Sequence, residues 1–198
     1  MKHIQLPMDE QTVRSLQLGD SVMLSGRIFT ARDAAHSYLV SHDVLEQPAP
    51  DLGDGVLYHC GPVIVKRDGQ WVVTAAGPTT SSREEPYEAT VIGRFGIKAI
   101  IGKGGMGPDT AAACRKYGCV YLQATGGAAQ VLAAAVTEVT NVYYYDKFGA
   151  PEAIWEFMVK DFPATVTMDA AGNSLHKDVL EHSRQQLCLI NGDMSWGK

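Results

Sequence analysis

Two stretches decide the fold: KAIIGKGGMGPDT at residues 98–110 and VYLQATGGAAQ at residues 120–130. Each begins with a short apolar run typical of a buried strand, continues into a glycine-rich turn and then into a helical pattern. A third stretch, Trp71–Ala75 followed by GPTTSSREE, has the same order. Alternating strands and helices predict parallel βαβ units with right-handed crossovers. Because loops after parallel strands meet at one edge, we expect the three glycine-rich turns to share a rim that binds a ligand.

The segments around these units predict a second layer of antiparallel strands. Asp68–Gly69 separates two alternating apolar runs and indicates a β-hairpin. The predicted strands are Ser21–Leu24, Arg27–Thr30, Val56–His59, Val63–Lys66, Trp71–Ala75, Val142–Tyr145 and a long run over Ile154–Asp169, in which Pro163 limits ladder pairing. Ala34–Leu45 predicts a helix that buries Tyr38 and Leu39, and the polar tail after Gly172 shows no clear pattern.

Composition narrows the class of protein and its partners. The 198 residues are 45% hydrophobic and 20% charged, which is typical of one globular domain over residues 1–198. The net charge of −5 without a Lys/Arg block disfavours nucleic-acid and membrane partners. No apolar run reaches the length of a membrane span, and the N-terminus does not have the pattern of a signal peptide, so we expect a cytoplasmic location. The four cysteines are expected to be reduced.

Two glycine-rich motifs each have a structural and a functional interpretation. In GPTTSSREE, Ser82 to Glu85 fits a helix capping box, but Arg83 beside exposed hydroxyls also suits a bound carboxylate. GKGGMG at residues 102–107 formally fits a dinucleotide fingerprint, yet the next strand ends without an acidic residue for a ribose hydroxyl. A tight turn explains its glycines and leaves Lys103 available for an anion.

Two further motifs, each taken alone, fit a structural role better than a functional one. ARDAAH at residues 31–36 predicts an Asp33 cap with a surface arginine and a surface His36. His59 and Cys60, in HCGP, predict a packed strand end, and we assign no metal to them. Cys114 and Cys119 do not share a helix face well, which disfavours a cluster in this chain.

Taken together, the motifs place three cations and two hydroxyls on loops at strand ends. The cations are Arg32, Arg83 and Lys103, the hydroxyls are those of Thr79 and Thr80, and a further glycine turn follows at Gly126. This set suits a small molecule with two carboxylates and a removable proton. The rival hypotheses are a non-catalytic anion-binding or interaction module and, from the glycine pattern alone, a nicotinamide-binding domain.

The ordered motifs TARDAAH, GPTTSSR, GKGGMGP, TGGAA and EAIWEFMVKDFPATVTMDAAGNS resemble the C-terminal domain of class I fumarases and the β subunit of L(+)-tartrate dehydratase, from about Gly19 to His176. The resemblance implies an α/β fold, a swivelling three-layer β/β/α domain with a parallel βαβ layer and an antiparallel strand layer. It also implies reversible addition of water to a dicarboxylate alkene, with a [4Fe–4S] cluster acting as Lewis acid. The cluster would belong to an α subunit, in a heterotetramer of two α and two β chains, and this chain would bind no cofactor.

Carried over from the resemblance, Thr79 is the proton-abstracting base or its immediate relay. Arg32, Thr80, Arg83 and Lys103 bind the substrate, and Asp33, His36, Gly104 and Gly126 support them. A threonine base requires neighbouring cations or donors, because a free hydroxyl is too weakly acidic to ionise at neutral pH. Sequence features favour fumarate hydration to L-malate, and dehydration of tartrate to oxaloacetate stays the alternative.

Overall fold

The computed structural model describes residues 1–191 and contains a seven-stranded mixed sheet together with a separate two-stranded sheet. The strands are β1 (Lys2–Gln5), β2 (Ser21–Thr30), β3 (Val56–Tyr58), β4 (Val63–Arg67), β5 (Gln70–Ala75), β6 (Ala99–Gly102), β7 (Val120–Gln123), β8 (Val136–Tyr143) and β9 (Ile154–Met168). The helices are α1 (Glu10–Ser15), α2 (Asp33–Ser41), α3 (Glu85–Phe95), α4 (Pro108–Tyr117), α5 (Ala129–Ala134), α6 (Tyr145–Phe148) and α7 (Leu175–Asn191), with a 3-10 turn at Ser81–Arg83. No helix within residues 1–191 is long and apolar enough to cross a membrane.

The large sheet has the order β1-β2-β3-β6-β7-β9-β8. Strands β2, β3, β6 and β7 are parallel neighbours, whereas β9 runs antiparallel to β2, β7 and β8. Because β9 pairs with both β7 and β2, the ladder β2-β3-β6-β7-β9 closes into a ring. The prediction of an α/β protein with parallel and antiparallel strands is therefore confirmed.

Alternate side chains along these strands enter two separate hydrophobic cores, as the period of two in a β-strand requires. One core contains Tyr58, Trp155 and Phe162. The other lies between the opposite strand faces and helices α2 to α4, and it contains Leu57 and Ile92. This second core fixes the helices whose first turns surround the candidate site.

The β4–β5 hairpin forms as predicted, with Asp68 and Gly69 at φ 49° and 82°. The prediction that Trp71–Ala75 is the first strand of the parallel layer is wrong. The tight turn lets β5 pair locally with β4 in its own sheet, and β3 is the parallel neighbour of β6 instead. The runs Ser21–Leu24 and Arg27–Thr30 are one strand, β2, whose pairing with β9 is irregular between Leu24 and Gly26.

The structure differs from two other sequence predictions, the end of α2 and the tail after Gly172, and it gives Pro163 a defined place in β9. Helix α2 ends at Ser41 rather than Leu45. Pro163 lies within β9 opposite Met23, in the gap between the β8 and β7 pairings, so its missing N–H interrupts neither of those ladders. The expectation of an unpatterned tail after Gly172 is wrong, because α7 occupies Leu175–Asn191. Val179, Leu180 and Leu187 recur at helical spacing there, and that was the missed signal.

Candidate functional site

The loop GPTTSSR lies against the ends of β3 and β6, although it does not follow a strand of the parallel layer. The Thr79 N–H donates to the His59 carbonyl at 2.7 Å. Thr80 forms a parallel bridge with Lys103, and the Ser81 N–H donates to the Lys103 carbonyl at 3.0 Å. Backbone pairing therefore brings the threonines and the lysine together at one edge of the sheet.

The glycine turn after β7 completes this edge. A Cβ placed on Gly126 would lie 3.5 Å from the Lys103 Cδ, so the lysine side chain runs beside that turn. Gly104 has φ +82°, a conformation that favours glycine, and directly follows Lys103. Thr80, Gly104 and Gly126 are exposed, and Thr79 and Lys103 are half-buried.

Arg32 lies beside the same edge and packs on Gly61. A Cβ on Gly61 would lie 2.5 Å from the Arg32 Nη1, so only glycine leaves room for the guanidinium. Glu152 faces this guanidinium at 3.5 Å. Cys60, the neighbour of Gly61, forms a backbone bridge with Pro78 of the GPTTSSR loop. These contacts hold Arg32 next to the loop that carries Thr79.

Arg83 is held by Asp33. Its Nε donates to one Asp33 oxygen at 3.1 Å and its Nη2 lies 2.9 Å from the other, which is a bidentate pair. This pair occupies one edge of the guanidinium. The side chain is 56% exposed, and neither of these contacts uses Nη1. Arg83 thus has donors left for a carboxylate, and Asp33 sets their direction.

The two predicted helix caps are wrong. Asp33 is the first residue of α2 and not its cap, and the Ala34 N–H donates instead to Glu152 at 3.0 Å. Ser82 does not cap α3, and the Glu85 carboxylate accepts from the N–H groups of Gly107, Asp109 and Thr110 at the start of α4. At α2 a carboxylate distant in sequence takes the place of the local cap, and at α3 the Glu85 of the predicted capping box serves the start of α4 instead.

His36 is not on the surface as expected. It is fully buried with His59 and Glu88, and the three offer ligand atoms that all lie within 4.8 Å of one another. His36 Nε2 and His59 Nε2 each lie 3.0 Å from the same Glu88 oxygen, Oε2. The prediction that His59 is a packed strand end is confirmed. Glu88 was missed, although its position one turn before Val91 and Ile92 on the buried stripe of α3 was a signal.

The hydrogen-bond partners assign the protons in this cluster. His36 Nδ1 faces the Arg32 carbonyl at 3.0 Å, and a carbonyl only accepts, so this nitrogen carries a proton. Burial would lower the pKa of His36, but Glu88 and Glu84 raise it above its ordinary value. Burial would raise the pKa of Glu88, but the two histidines lower it to about 2. The pair is therefore an imidazolium and a carboxylate.

His59 is neutral by the same reasoning. The Ser81 Oγ accepts from the Lys103 N–H at 3.2 Å and from the Tyr121 hydroxyl at 2.9 Å. Its own proton is then directed at His59 Nδ1, 2.9 Å away, and His59 Nε2–H donates to Glu88. Burial lowers the pKa of His59 more than Glu88 raises it, which agrees with a neutral ring.

The cysteines of residues 1–191 do not fit an iron–sulfur cluster. Cys60 belongs to one hydrophobic core, Cys114 and Cys119 belong to the other, and Cys188 lies on α7. Cluster ligation requires thiolates. Burial raises the pKa of Cys60 to about 12 and raises that of Cys119 well above its ordinary value, so both thiols are held protonated.

Comparison with known proteins places this chain in a family. The family model described as Fumarase C-terminus matches residues 1–179. The chain is 50% identical over 186 residues to a protein of Geobacillus stearothermophilus named "Putative fumarate hydratase class I", covering 93% of this chain but only 35% of that protein. It is 42% identical over 187 residues to a protein of Methanocaldococcus jannaschii named "Putative L(+)-tartrate dehydratase subunit beta", covering 93% and 96% of the two chains. It is 35% identical over 176 residues to the L(+)-tartrate dehydratase subunit beta of Escherichia coli (strain K12), covering 88% and 86%. The chain therefore belongs to the family of the fumarase C-terminus.

Proposed function

We propose that this chain is the β-type subunit of an iron–sulfur hydro-lyase that reversibly hydrates fumarate to L-malate. The observation that carries the proposal is that the segments of Arg32, Arg83 and Lys103 meet at the sheet edge that also carries Thr79 and Thr80. A dicarboxylate needs cations at two ends and a proton-transfer group between them, and this edge offers both. The name of the Geobacillus relative, 50% identical over 186 residues, supports the choice of fumarate.

Each cation has a distinct part in binding the substrate. Lys103, beside Gly126, is a point charge that anchors one carboxylate, while Arg32 anchors the other from the pocket over Gly61. Arg83 offers its Nη1 edge to a carboxylate while Asp33 holds the opposite edge. Thr80, which is exposed, adds a hydroxyl donor beside Lys103. Arginine and lysine together fix the orientation of the substrate, because a fork and a point charge impose different geometry.

Thr79 is the group that we propose handles the proton on the substrate carbon. A neutral hydroxyl is a weak base, and the cations around it lower the cost of developing negative charge on its oxygen. Thr79 acts either as the base or as the immediate relay to a base from another chain. Its backbone is fixed by the 2.7 Å bond from its N–H to the His59 carbonyl.

The complete enzyme needs an α-type partner in this proposal. This chain spans only 35% of the Geobacillus protein, so the other part of that protein has no counterpart here. Since the cysteines described above do not fit a cluster, the [4Fe–4S] cluster is assigned to the α subunit, in a complex of two α and two β chains. We further propose that the closed strand ring and its helices, within a single domain, correspond to the swivelling β/β/α domain of the family.

L(+)-tartrate dehydratase is the second candidate, because the Methanocaldococcus and Escherichia relatives, of which this chain covers 96% and 86%, are named as its subunit beta. The test is to reconstitute the complex anaerobically with an α-type chain of the same family and to assay fumarate, L-malate and L(+)-tartrate. We expect interconversion of fumarate and malate by the complex and no turnover by the isolated chain. Preference for tartrate would select the second candidate. A loaded complex inactive on all three would leave an anion-binding module.

A further inference from the structure

The buried cluster of His36, Glu88 and His59 lies behind the proposed substrate edge, and none of its side chains is exposed. It therefore cannot touch a substrate at that edge. The two histidines nevertheless contact segments that carry proposed substrate-binding residues, and Glu88 contacts both histidines. The cluster contains an imidazolium, a carboxylate and a neutral imidazole. Burying these charges costs free energy, which suggests that the cluster has a role beyond packing.

At one end, His36 holds the loop of Arg32. Its Nδ1–H donates to the Arg32 carbonyl at 3.0 Å, while Nε2 faces the Glu88 carboxylate. The Arg32 guanidinium faces Glu152 at 3.5 Å and Asp33 at 3.9 Å, and its buried Nε has no hydrogen-bond partner within the described residues. The Arg32 carbonyl thus accepts from the His36 N–H at 2.8 Å and from the His36 ring at 3.0 Å, and the second contact links the Arg32 backbone to Glu88.

At the other end, His59 holds the loops of Thr79 and Lys103. The His59 carbonyl accepts the Thr79 N–H, and its ring binds Ser81, whose Oγ accepts the Lys103 N–H. Gly102 permits this arrangement, because any Cβ there would overlap the Ser81 Oγ. One carboxylate, Glu88, is therefore connected through two imidazoles to all three loops.

We propose that Glu88, His36 and His59 are positioning residues, which hold Arg32, Thr79 and Lys103 at the spacing that the hydro-lyase reaction requires. This inference rests on the proposed function. The bridge combines an ion pair of 3.0 Å at His36 with hydrogen bonds at His59, and these specific contacts restrain the loops more than apolar packing of the same volume would. A displacement of about 1 Å in a catalytic group can cost roughly 100-fold in rate.

The groups that face His36 from the surrounding elements are Glu84 and Glu88 of α3 and His59 after β3. Asp33, at the start of α2, acts on His59 and Glu84 from a greater distance. Glu88 is the only one of these carboxylates in contact with both rings, among residues 1–191. Its replacement should therefore disturb all three loops at once.

The kinetic test compares wild type, Glu88→Gln and the exposed control Glu138→Gln in the reconstituted complex. Glutamine keeps the shape but cannot pair with an imidazolium. We expect Glu88→Gln to lower kcat/KM per folded complex by about 10- to 100-fold, with the control unchanged. Ser81→Ala, at the far end of the bridge, should lower it similarly, and the double variant should lose less than the product of the two losses. If Glu88→Gln does not fold, Ser81→Ala alone carries this comparison.

A spectroscopic test measures the protonation states of His36 and His59 directly. In ¹⁵N spectra of the full chain at about pH 8, we expect His36 protonated on both nitrogens and His59 only on Nε2, with His36 neutral in Glu88→Gln. A neutral His36 in the wild type would overturn the bridge, as would folded variants with kcat/KM within about twofold of wild type. One equivalent of a tightly held metal that is lost in Glu88→Gln would also overturn it, in favour of a metal centre.

The activity of the wild-type complex distinguishes failure of the positioning proposal from failure of the proposed hydro-lyase function. If it is active and the variants are normal, only the positioning proposal fails. If it is inactive, the proposed function fails, and binding of succinate to wild type and Glu88→Gln then decides the positioning proposal. Affinity reduced by about tenfold or more in the variant would support it, and equal affinity would overturn it.

Discussion

Three glutamates at the start of α3 have the same side chain and three different environments. Glu84 is buried, and neither of its carboxylate oxygens has a hydrogen-bond partner within residues 1–191. Glu85 accepts N–H groups from the start of α4, and Glu88 pairs with two histidines. Burial raises the pKa of Glu84 to about 7, whereas the histidines lower that of Glu88 to about 2. The environment, and not the residue type, decides which of them is charged.

Glu84 predicts a pH-dependent stability. Its pKa is about 7 in the folded chain and near 4.5 when unfolded, so its contribution to stability falls as the pH rises from 4.5 to 7 and stays low above. Glu84→Gln should remove the cost of ionising a buried carboxyl, which is on the order of 1–3 kcal/mol. We expect a higher Tm than wild type at about pH 8 and nearly equal values at about pH 5. A lower Tm at the higher pH would show that its attraction to His36 dominates.

Thr79 and Lys103 predict different kinetic defects in the reconstituted complex. Thr79→Ala should lower kcat by roughly 100- to 10,000-fold with little change in KM, because proton transfer matters only in the transition state. Lys103→Ala should also raise KM, since an anchor binds substrate and transition state alike; the loss of one charged hydrogen bond is about 1.5–3 kcal/mol. The control is Thr90→Ala, which changes an exposed threonine of α3. A fully active but less stable Thr79→Ala would assign that residue to structure alone.

At the scale of elements, α4 depends on a carboxylate that it does not contain. Glu85 accepts the N–H groups of Gly107, Asp109 and Thr110 and the Thr110 hydroxyl at 2.6–3.2 Å. It thereby satisfies three backbone donors that a helix start leaves open and places negative charge at the positive end of the helix dipole. The contact also joins α3 to α4 behind the GKGGMG turn.

We predict that Glu85→Ala lowers stability by about 1–3 kcal/mol and leaves kcat of the folded complex near wild type. The cost comes from donors left without a partner, and Glu85 contacts none of the proposed substrate-binding residues. Thermal unfolding of the chain measures the first effect and turnover of the complex measures the second. Glu181→Ala on the exposed face of α7 is the matched control, and an equal loss in both variants would contradict the capping role.

At the scale of the whole molecule, the proposed substrate edge is open to solvent. Arg83 is 56% exposed, and Thr80 and Gly126 are also exposed. Water and salt weaken charge pairs at such a surface, whereas a partner that covers the edge would strengthen them. The proposed α subunit would therefore contribute to affinity even through contacts that do not touch the substrate.

We predict that the reconstituted complex binds succinate, a dicarboxylate that cannot be hydrated, at least about tenfold more tightly than the isolated chain does. Calorimetry of both, at low and high salt, checks the difference. The affinity of the isolated chain should fall more steeply with salt, because its charges are exposed. Equal affinities and equal salt dependence would mean that the partner does not cover this edge.

The sequence by itself determined the α/β class, the hairpin at Asp68–Gly69, and the strand–turn–helix order of residues 98–130, because glycine turns and apolar periodicity act locally. It also indicated the family through its ordered motifs. The roles of Arg32, Thr79 and Lys103 in substrate binding and proton transfer stay a prediction.

Only the tertiary structure decided where the GPTTSSR loop docks, which carboxylate caps which helix, and that His36, His59 and Glu88 meet. Trp71–Ala75 pairs with β4 and not with the parallel strands, because its hairpin partner is close in the chain. The loop after it still lies at the sheet edge, where it forms backbone hydrogen bonds with His59 and Lys103. Glu85, Glu88 and Glu152 act on segments distant in sequence. Such pairings follow from the closing of the strand ring and the packing of helices on it, which no local pattern encodes.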